Sequence, residues 1–304
     1  MADPIARPED RLVPAILIFL LAMILFDGMG LIIKRLSPYY SAAELSAWRN
    51  LFGLLPGAII LLTSRAWHRK GRPLKMRQWR LAAFRGVCVT FAQFSFYFAL
   101  GAIPFATANT IAQSNALFMT ALAVPFLGEK VGWLRWGAVG IGFVGVMLIL
   151  KPGASEALTF GALAPLCSGF LYALAGVLSR KLDPDVPSPL VNIYSTGTAL
   201  ICSGILALAL GGFTPIRSME DLAWIVAMGA FGGLAVLCLI IAFRMTEQSN
   251  LAPISYAGIP TSLILGWIFF AEAPIDDLFP GALLIILGGL IVVWRERQLR
   301  ARAA

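Results

Sequence analysis

Few side chains inside the apolar stretches of this sequence can do chemistry, and those that can fall at regular intervals. Asp27, in "AMILFDGMGLIIKRL", and Arg49, in "SAWRNLFG", are an acid and a base, each embedded in a hydrophobic run. Gln93 and Tyr97 stand four apart in "VTFAQFSFYFAL", and Asn109 and Gln113 four apart in "TANTIAQSNALFMT". On a helix that interval puts each pair on one face, one turn apart. Ser255, Tyr256, Pro260 and Trp267 make a further group in "LAPISYAGIPTSLILGWIFF". Amides, hydroxyls and aromatic rings of this kind bind a solute without making or breaking bonds. The sets that do bond chemistry are missing. The single histidine, His68, lies in a basic stretch, and Cys88, Cys167, Cys202 and Cys238 sit in apolar runs with no zinc-like or disulfide spacing. The paired aspartates of "IDDLF" at 275–279 have no second acidic motif to share a metal with. The inventory argues against an enzyme, calls for no cofactor or metal, and leaves non-covalent handling of a small molecule.

The elements that position these residues are membrane helices. Hydrophobic residues make up 59% of the 304, charged residues only 13%, and the mean hydropathy is +0.82; a soluble chain carries about 25% charge. Taking roughly 20 apolar residues per crossing, ten spans are expected, near 13–33, 42–64, 81–102, 105–127, 132–150, 160–179, 189–211, 222–243, 250–271 and 279–294. The first follows basic residues as a signal peptide would, but no small-x-small cleavage site comes after it, so it reads as an uncleaved helix. A net charge of +8 would raise nucleic acid as a partner in a soluble protein. Here the basic residues sit between spans, seven of them in 65–80. With that loop and both termini in the cytoplasm, 18 Lys/Arg fall inside and four outside, which is the positive-inside pattern of an inner-membrane protein. Trp48, Trp133, Trp136, Trp224 and Trp294 fall near span ends, where an indole finds both apolar and polar surroundings.

This frame sets the depth of each polar residue. Asp27 lies about 9 Å below the outer end of span 1, and Arg49 about 10 Å below the outer end of span 2. Two charges at one depth on consecutive helices predict a structural Asp27–Arg49 pair; contact of Asp27 with cargo or a coupling proton, and contact with solvent at the cavity mouth, are the other readings. The span 3 and span 4 stripes predict either interhelical hydrogen bonding or a cavity wall. Because "GAIP" joins those spans with almost no loop, Gln93 and Tyr97 are expected to face Asn109 and Gln113 around one cavity. Glu129 and Glu272 close spans 4 and 9 at helix C-termini, where a carboxylate opposes the helix dipole and needs a neighbouring donor or cation. The glycine-rich spans 5 and 10 predict close helix contact, as a brace between halves or a dimer face.

The chain also resembles itself. "KRLSPYYSAAELSAWRN" aligns with "RKLDPDVPSPLVNIYST", and further on "FLGEK" with Glu129 aligns with "FFAEA" with Glu272, 143 positions later. Five spans per copy is an odd number, so the second copy enters the membrane in the opposite sense. The expected fold is therefore all-α and integral to the membrane. Its ten transmembrane helices form two inverted five-helix repeats, 1–152 and 153–304, an arrangement that secondary transporters use for alternating access.

Ten spans in two halves, "WRNLFG" in span 2, "PFLGEK" closing span 4, "FFAEAP" closing span 9 and glycine-rich spans 5 and 10 resemble the drug/metabolite transporter superfamily, in its EamA-type exporter group. The resemblance covers roughly residues 12–296. It implies export of small metabolites through a central cavity lined mainly by spans 3, 4, 8 and 9, and within the group it is nearest to exporters of amino acids, aromatic ones included. It also implies a proline hinge in span 9 at Pro260, whose first-half equivalent is Leu117. The expected substrate contacts are Gln93, Tyr97, Asn109, Gln113, Ser255, Tyr256 and Trp267. Such a pocket suits neutral or zwitterionic cargo with an apolar part. The partners are that small molecule and the bilayer, with no nucleic acid; a monomer suffices and a homodimer is compatible. A multidrug exporter of the same fold or a lipid flippase is the alternative.

Overall fold

The structure is a computed structural model that describes residues 12–63, 76–128, 132–150, 156–182, 186, 188–245, 251 and 254–303. The basic loop at 64–75, Glu129 and the segment 151–155 lie outside the described residues. The regular elements are α1 (Leu12–Leu36), α2 (Ala42–Thr63), α3 (Trp79–Ala102), α4 (Phe105–Ala112), α5 (Asn115–Leu127), α6 (Trp133–Leu150), α7 (Glu156–Arg180), α8 (Ser188–Ala209), α9 (Met219–Met245), α10 (Gly258–Phe270), α11 (Ile275–Leu278) and α12 (Gly281–Ala303). Eight segments among the described residues are long and apolar enough to cross a membrane, Phe105–Leu127 counting as one of them. Gly258–Phe270 and Gly281–Arg295 are shorter apolar helices at the places expected for spans 9 and 10.

These helices hide one face and present another that water would not tolerate. Val13, Leu17, Leu21 and Ile24 on α1, and Ile201, Ile205 and Leu208 on α8, are exposed side chains in helical register. Apolar bands of that kind are covered by lipid. The inward faces pack through small residues. A side chain at Gly145 of α6 would come within 2.5 Å of the Gly281 carbonyl of α12, and one at Gly288 of α12 within 2.6 Å of the Ala138 carbonyl of α6. Both helices therefore use glycine to approach backbone to backbone.

The order along the chain is not the order in space. α1 packs along α9, α2 along α8 and α9, α3 along α7 and α8, α6 along α12, and α4 against α10. α1 and α2, although consecutive, do not pack along one another. α9 stands between them: its Phe231 meets Gly28, while its Gly229, Gly232 and Gly233 receive Phe52, Arg49 and Pro56 from α2.

Contacts recur at the interval of 143. Gly86 of α3 lies against Ser195 of α8, and Gly229 of α9 against Phe52 of α2; adding 143 to 86 and 52 gives 229 and 195. Gly145·Gly281 and Ala138·Gly288 stand in the same relation. Span 4 is interrupted at Gln113 and Ser114, between α4 and α5, and the turn before α10 falls at Tyr256 and Ala257. In each the hydrogen bonds tighten to three residues, Ser114 N to the Ile111 carbonyl (3.0 Å) and Ala257 N to the Ile254 carbonyl (3.0 Å), as in a 3₁₀ turn. Each helix then ends on a left-handed residue, Gly128 at φ 68° and Ala271 at φ 54°.

Candidate functional site

The break between α4 and α5 and the turn before α10 meet at a cavity of about 300 Å³ lined by residues of α1, α4, α5, α9 and α10. That volume lies at the small end of the range for ligand pockets, roughly 300–1,000 Å³. The tightened turn of span 4 turns Gln113 toward the turn of span 9, and its Nε2 donates to the Ser255 carbonyl at 3.0 Å. Gly258 permits the approach, since a side chain there would stand 3.0 Å from Gln113 Nε2. Asn109 spends an amide hydrogen on the Phe105 carbonyl one turn back (2.9 Å), which fixes its rotamer on the cavity wall. Asp27 enters from α1, where its Oδ2 accepts from the Thr261 hydroxyl at 3.1 Å. Asn115 completes the polar side; Phe19, Met23, Phe26 and Leu239 supply an apolar one. The arrangement offers one carboxylate, three amides and aromatic surface to a small molecule.

The cavity has a direction. Its α1 wall runs from Asp27 back to Phe19, toward the end of the helix that carries residue 12. The opposite end is tied shut. Lys34 Nζ reaches Glu272 Oε1 at 2.8 Å and the Ile103 carbonyl at 2.9 Å, and Glu272 Oε2 also accepts from the Phe105 amide at 2.9 Å. The carboxylate that the sequence placed against a helix dipole thus has both a cation and a backbone donor. Nearby, Arg35 pairs with Glu220 (2.9 Å) and the Tyr40 hydroxyl donates to Asp221 (2.9 Å). The Glu44 carboxylate takes the Thr214 amide. These ties link the α1–α2, α3–α4, α8–α9 and α10–α11 connections at one end of the bundle.

Of the expected site residues, Asn109, Gln113 and Ser255 line this cavity together with Asp27. The expected Asp27–Arg49 pair does not form. Arg49 Nη1 donates instead to Asn50 Oδ1 at 3.2 Å, because α9 separates the two helices that matched depths had seemed to bring together. Gln93 and Tyr97 do not line the cavity either. α3 packs on α7 and α8 more than on α4, and Gln93 Oε1 accepts from Ser46 (3.0 Å) and Asn50 (2.9 Å), joining α3 to α2. Tyr97 is buried beside it in the main apolar core. Tyr256 is buried against Gly289 of α12, in a second core cluster. Trp267 is 66% exposed, beside exposed Ile264 and Ile268. The buried face of α10 runs through Ile259, Ser262 and Gly266, and one further residue rotates Trp267 onto the outer face. Pro260 is in the first turn of α10, just past the tightened turn.

Sequence reasoning passed over Phe19, Met23, Phe26, Asn115 and Thr261. The first three recur with Asp27 at intervals of four, three and one, an α-helical stripe that was legible. Thr261 carried no such signal, since nothing in the sequence ties it to α1.

The chain is also similar to known proteins. Residues 13–151 and 159–294 match the EamA-like transporter family. The S-adenosylmethionine uptake transporter of Rickettsia bellii is 28% identical over 92% of this chain and 93% of its own length. The riboflavin transporter of Rhizobium johnstonii is 28% identical over 67% of each, and the pseudopaline exporter of Pseudomonas aeruginosa 25% identical over 91% and 95%. One crystal structure superposes with a TM-score of 0.64 at 21% identity, covering 94% of this chain and 99% of that one, a likeness of fold.

Proposed function

The chain belongs to the EamA-like transporter family, and from that premise we propose that it exports small neutral or zwitterionic metabolites, amino acids including aromatic ones, across the inner membrane by alternating access. The relatives are named as transporters; the chain is a multi-pass membrane transporter of small molecules and not an enzyme. The observation that carries the finer reading is the cavity between the α4–α5 break and the turn before α10, where Asp27, Asn109, Gln113 and Ser255 stand beside Phe19, Met23 and Phe26. Broken helices in matching positions of two halves are where transporters of inverted-repeat design hold their cargo. Amides and a single carboxylate receive an ammonium group, and the apolar wall receives a ring or alkyl chain. S-adenosylmethionine, the cargo named for the Rickettsia relative, carries an α-amino acid group, which is in keeping with this chemistry.

The reading of two inverted halves is supported by the exchanged contacts. Gly86·Ser195 with Gly229·Phe52, and Gly145·Gly281 with Ala138·Gly288, are what a pseudo-two-fold axis relating the halves generates. The tied end at Lys34 and Glu272 and the cavity running the other way support a state closed on one side and open on the other. By the excess of Lys/Arg the closed side is the outer one. Pro260 then acts as the hinge of α10, and Lys34–Glu272 as the bond that breaks when the cavity changes sides.

Purified protein in liposomes, offered a panel of labelled amino acids with and without a pH gradient, tests this. Saturable, inhibitable accumulation of neutral or aromatic amino acids is expected. Movement of a labelled lipid with no amino-acid transport would replace the reading with a flippase.

A further inference from the structure

Thr261 has one hydroxyl hydrogen and two acceptors for it. Its Oγ1 stands 3.1 Å from Asp27 Oδ2 on α1 and 3.1 Å from the Gly258 carbonyl one turn back in its own helix, α10. A hydroxyl donates once, so the bond to α1 and the bond within α10 exclude one another. The charge on Asp27 decides between them. A hydrogen bond to an ionised acceptor is roughly twice as strong as one to a neutral acceptor, so a bare carboxylate takes the hydroxyl and ties α10 to α1. Once a cation neutralises the carboxylate that advantage is gone, and the hydroxyl turns back to the Gly258 carbonyl, as threonines in helices do. Both acceptors belong to the cavity, where Asp27 and Gly258 are lining residues and Asp27 is the one that carries charge.

The tie lies where the closed side of the bundle begins. Seven residues further along α1, Lys34 reaches Glu272, which stands eleven residues beyond Thr261. The two segments are therefore joined twice, once at the cavity and once at the closed end. At the interval of 143 that relates the close contacts of the two halves, Asp27 corresponds to Phe170 and Thr261 to Phe118. Those two rings meet edge to face between α5 and α7, their centroids 5.4 Å apart. The same contact is closed with hydrocarbon in one half and with an acid and a hydroxyl in the other. Packing does not require the polar pair, and an acid at membrane depth is kept for function.

We propose that Asp27 and Thr261 form a cargo-sensing latch that selects for molecules bearing an ammonium group. The inference rests on reading the central cavity as the cargo site and names how that site reports its occupancy. In the empty protein the carboxylate holds Thr261, and with it α10, against α1, and the outer side stays shut. A cargo ammonium, its apolar part against Phe19, Met23 and Phe26, takes over the carboxylate. Thr261 then returns to its own helix, which leaves Lys34–Glu272 as the remaining polar tie between these two segments among the described residues. A neutral molecule of the same shape leaves the latch closed. Thr261 is a positioning residue, acting on α10 through Asp27.

The test needs no known cargo and no transport. Full-length protein with its four cysteines replaced and spin labels at exposed Pro38 and Ala273 reports the outer side as a distance distribution. The probe is phenethylammonium, with 2-phenylethanol as the uncharged control. Phenethylammonium adds a longer-distance population saturably, raising the ratio of long to short distances about tenfold, the difference between a charged and a neutral hydrogen bond; 2-phenylethanol adds none. Thr261→Val still binds phenethylammonium in calorimetry, yet shows the longer-distance population without it and does not respond further, while Thr261→Ser behaves as wild type. A matching response to the alcohol, or a Thr261→Val protein whose ligand-free distribution and response equal those of wild type, overturns the proposal. So does a wild-type distribution that phenethylammonium leaves unchanged. Should Thr261→Val not fold, Asp27→Asn takes its place: it shows the longer-distance population without ligand, and a wild-type distribution there overturns the proposal. A protein that fails the liposome panel yet gives the Thr261-dependent response would lose the transport reading and keep this one.

Discussion

Glu272→Gln should loosen the closed end of the bundle by an amount that the geometry bounds. Lys34 Nζ sits 2.8 Å from one carboxylate oxygen of Glu272 and 2.9 Å from the other, and its side chain is 12% exposed. A glutamine keeps an oxygen for the Phe105 amide but brings no charge to Lys34, which retains the Ile103 carbonyl and the face of the Phe270 ring. Hydrogen bonds to charged groups are worth about 1.5–3 kcal/mol against about 1 for neutral ones. Glu272 is 28% exposed, so solvent screening places the difference low, at about 1–2 kcal/mol. At 1.4 kcal/mol per tenfold, that moves the balance of closed and open forms by roughly 5- to 30-fold. Spin labels at exposed Pro38 and Ala273, on two of the connections this end ties together, report it as a distance distribution. The substituted protein should gain a longer-distance population in that proportion. Identical distributions in the two proteins would show that the Lys34–Glu272 bond does not hold this end shut.

Other outcomes follow from the packing. Because α9 separates Asp27 from Arg49, Asp27→Asn and Arg49→Gln should add within about 0.5 kcal/mol in a double-mutant melting cycle; a large coupling would restore the direct pair. Gly145→Val, forced against the Gly281 carbonyl, should cost about 1–3 kcal/mol, while Gly140→Ala on the same helix, with nothing within 4 Å of the new methyl, should be neutral or stabilise by up to about 1 kcal/mol. Ala271, left-handed at φ 54°, should accept glycine with a gain of up to about 1 kcal/mol, read as a higher Tm. Trp267→Leu should leave cargo affinity unchanged in a binding titration, since the ring faces outward.

The sequence carries the positions of the helices well and their partners poorly. Hydropathy located α1 through α9 because apolar runs of about 20 residues are set by the thickness of a bilayer. It also located the two shorter helices, Gly258–Phe270 and Gly281–Arg295. Which helix lies beside which is a different matter. Asp27 and Arg49 matched in depth, but depth is one coordinate, and α9 enters between them from nearly 200 residues away. The glycines of α9 that admit Phe52, Arg49 and Pro56 were visible in "AMGAFGGLAV", yet nothing local says what a small face will receive. A four-residue interval makes a stripe without saying where it points. That is why Gln93 bonds to α2 while Asn109 and Gln113 reach the cavity. The tightened turn at 113–114 has no proline to mark it; the one at 256–257 does, since Pro260 has no amide hydrogen for the Tyr256 carbonyl, and the recurrence at 143 relates the two.

The central claim is that cargo binds where Gln113 crosses to Ser255, and the half-saturation constant for amino-acid counterflow in liposomes measures it most directly. Gln113→Ala removes an amide from the cavity wall together with its bond to the Ser255 carbonyl, so it should insert as the wild type does and melt only slightly lower. It should raise the half-saturation concentration about five- to tenfold, the loss of roughly one hydrogen bond at about 1–1.5 kcal/mol. A half-saturation constant equal to that of the wild type, in protein that folds normally, would place the cargo elsewhere in the bundle and contradict the account.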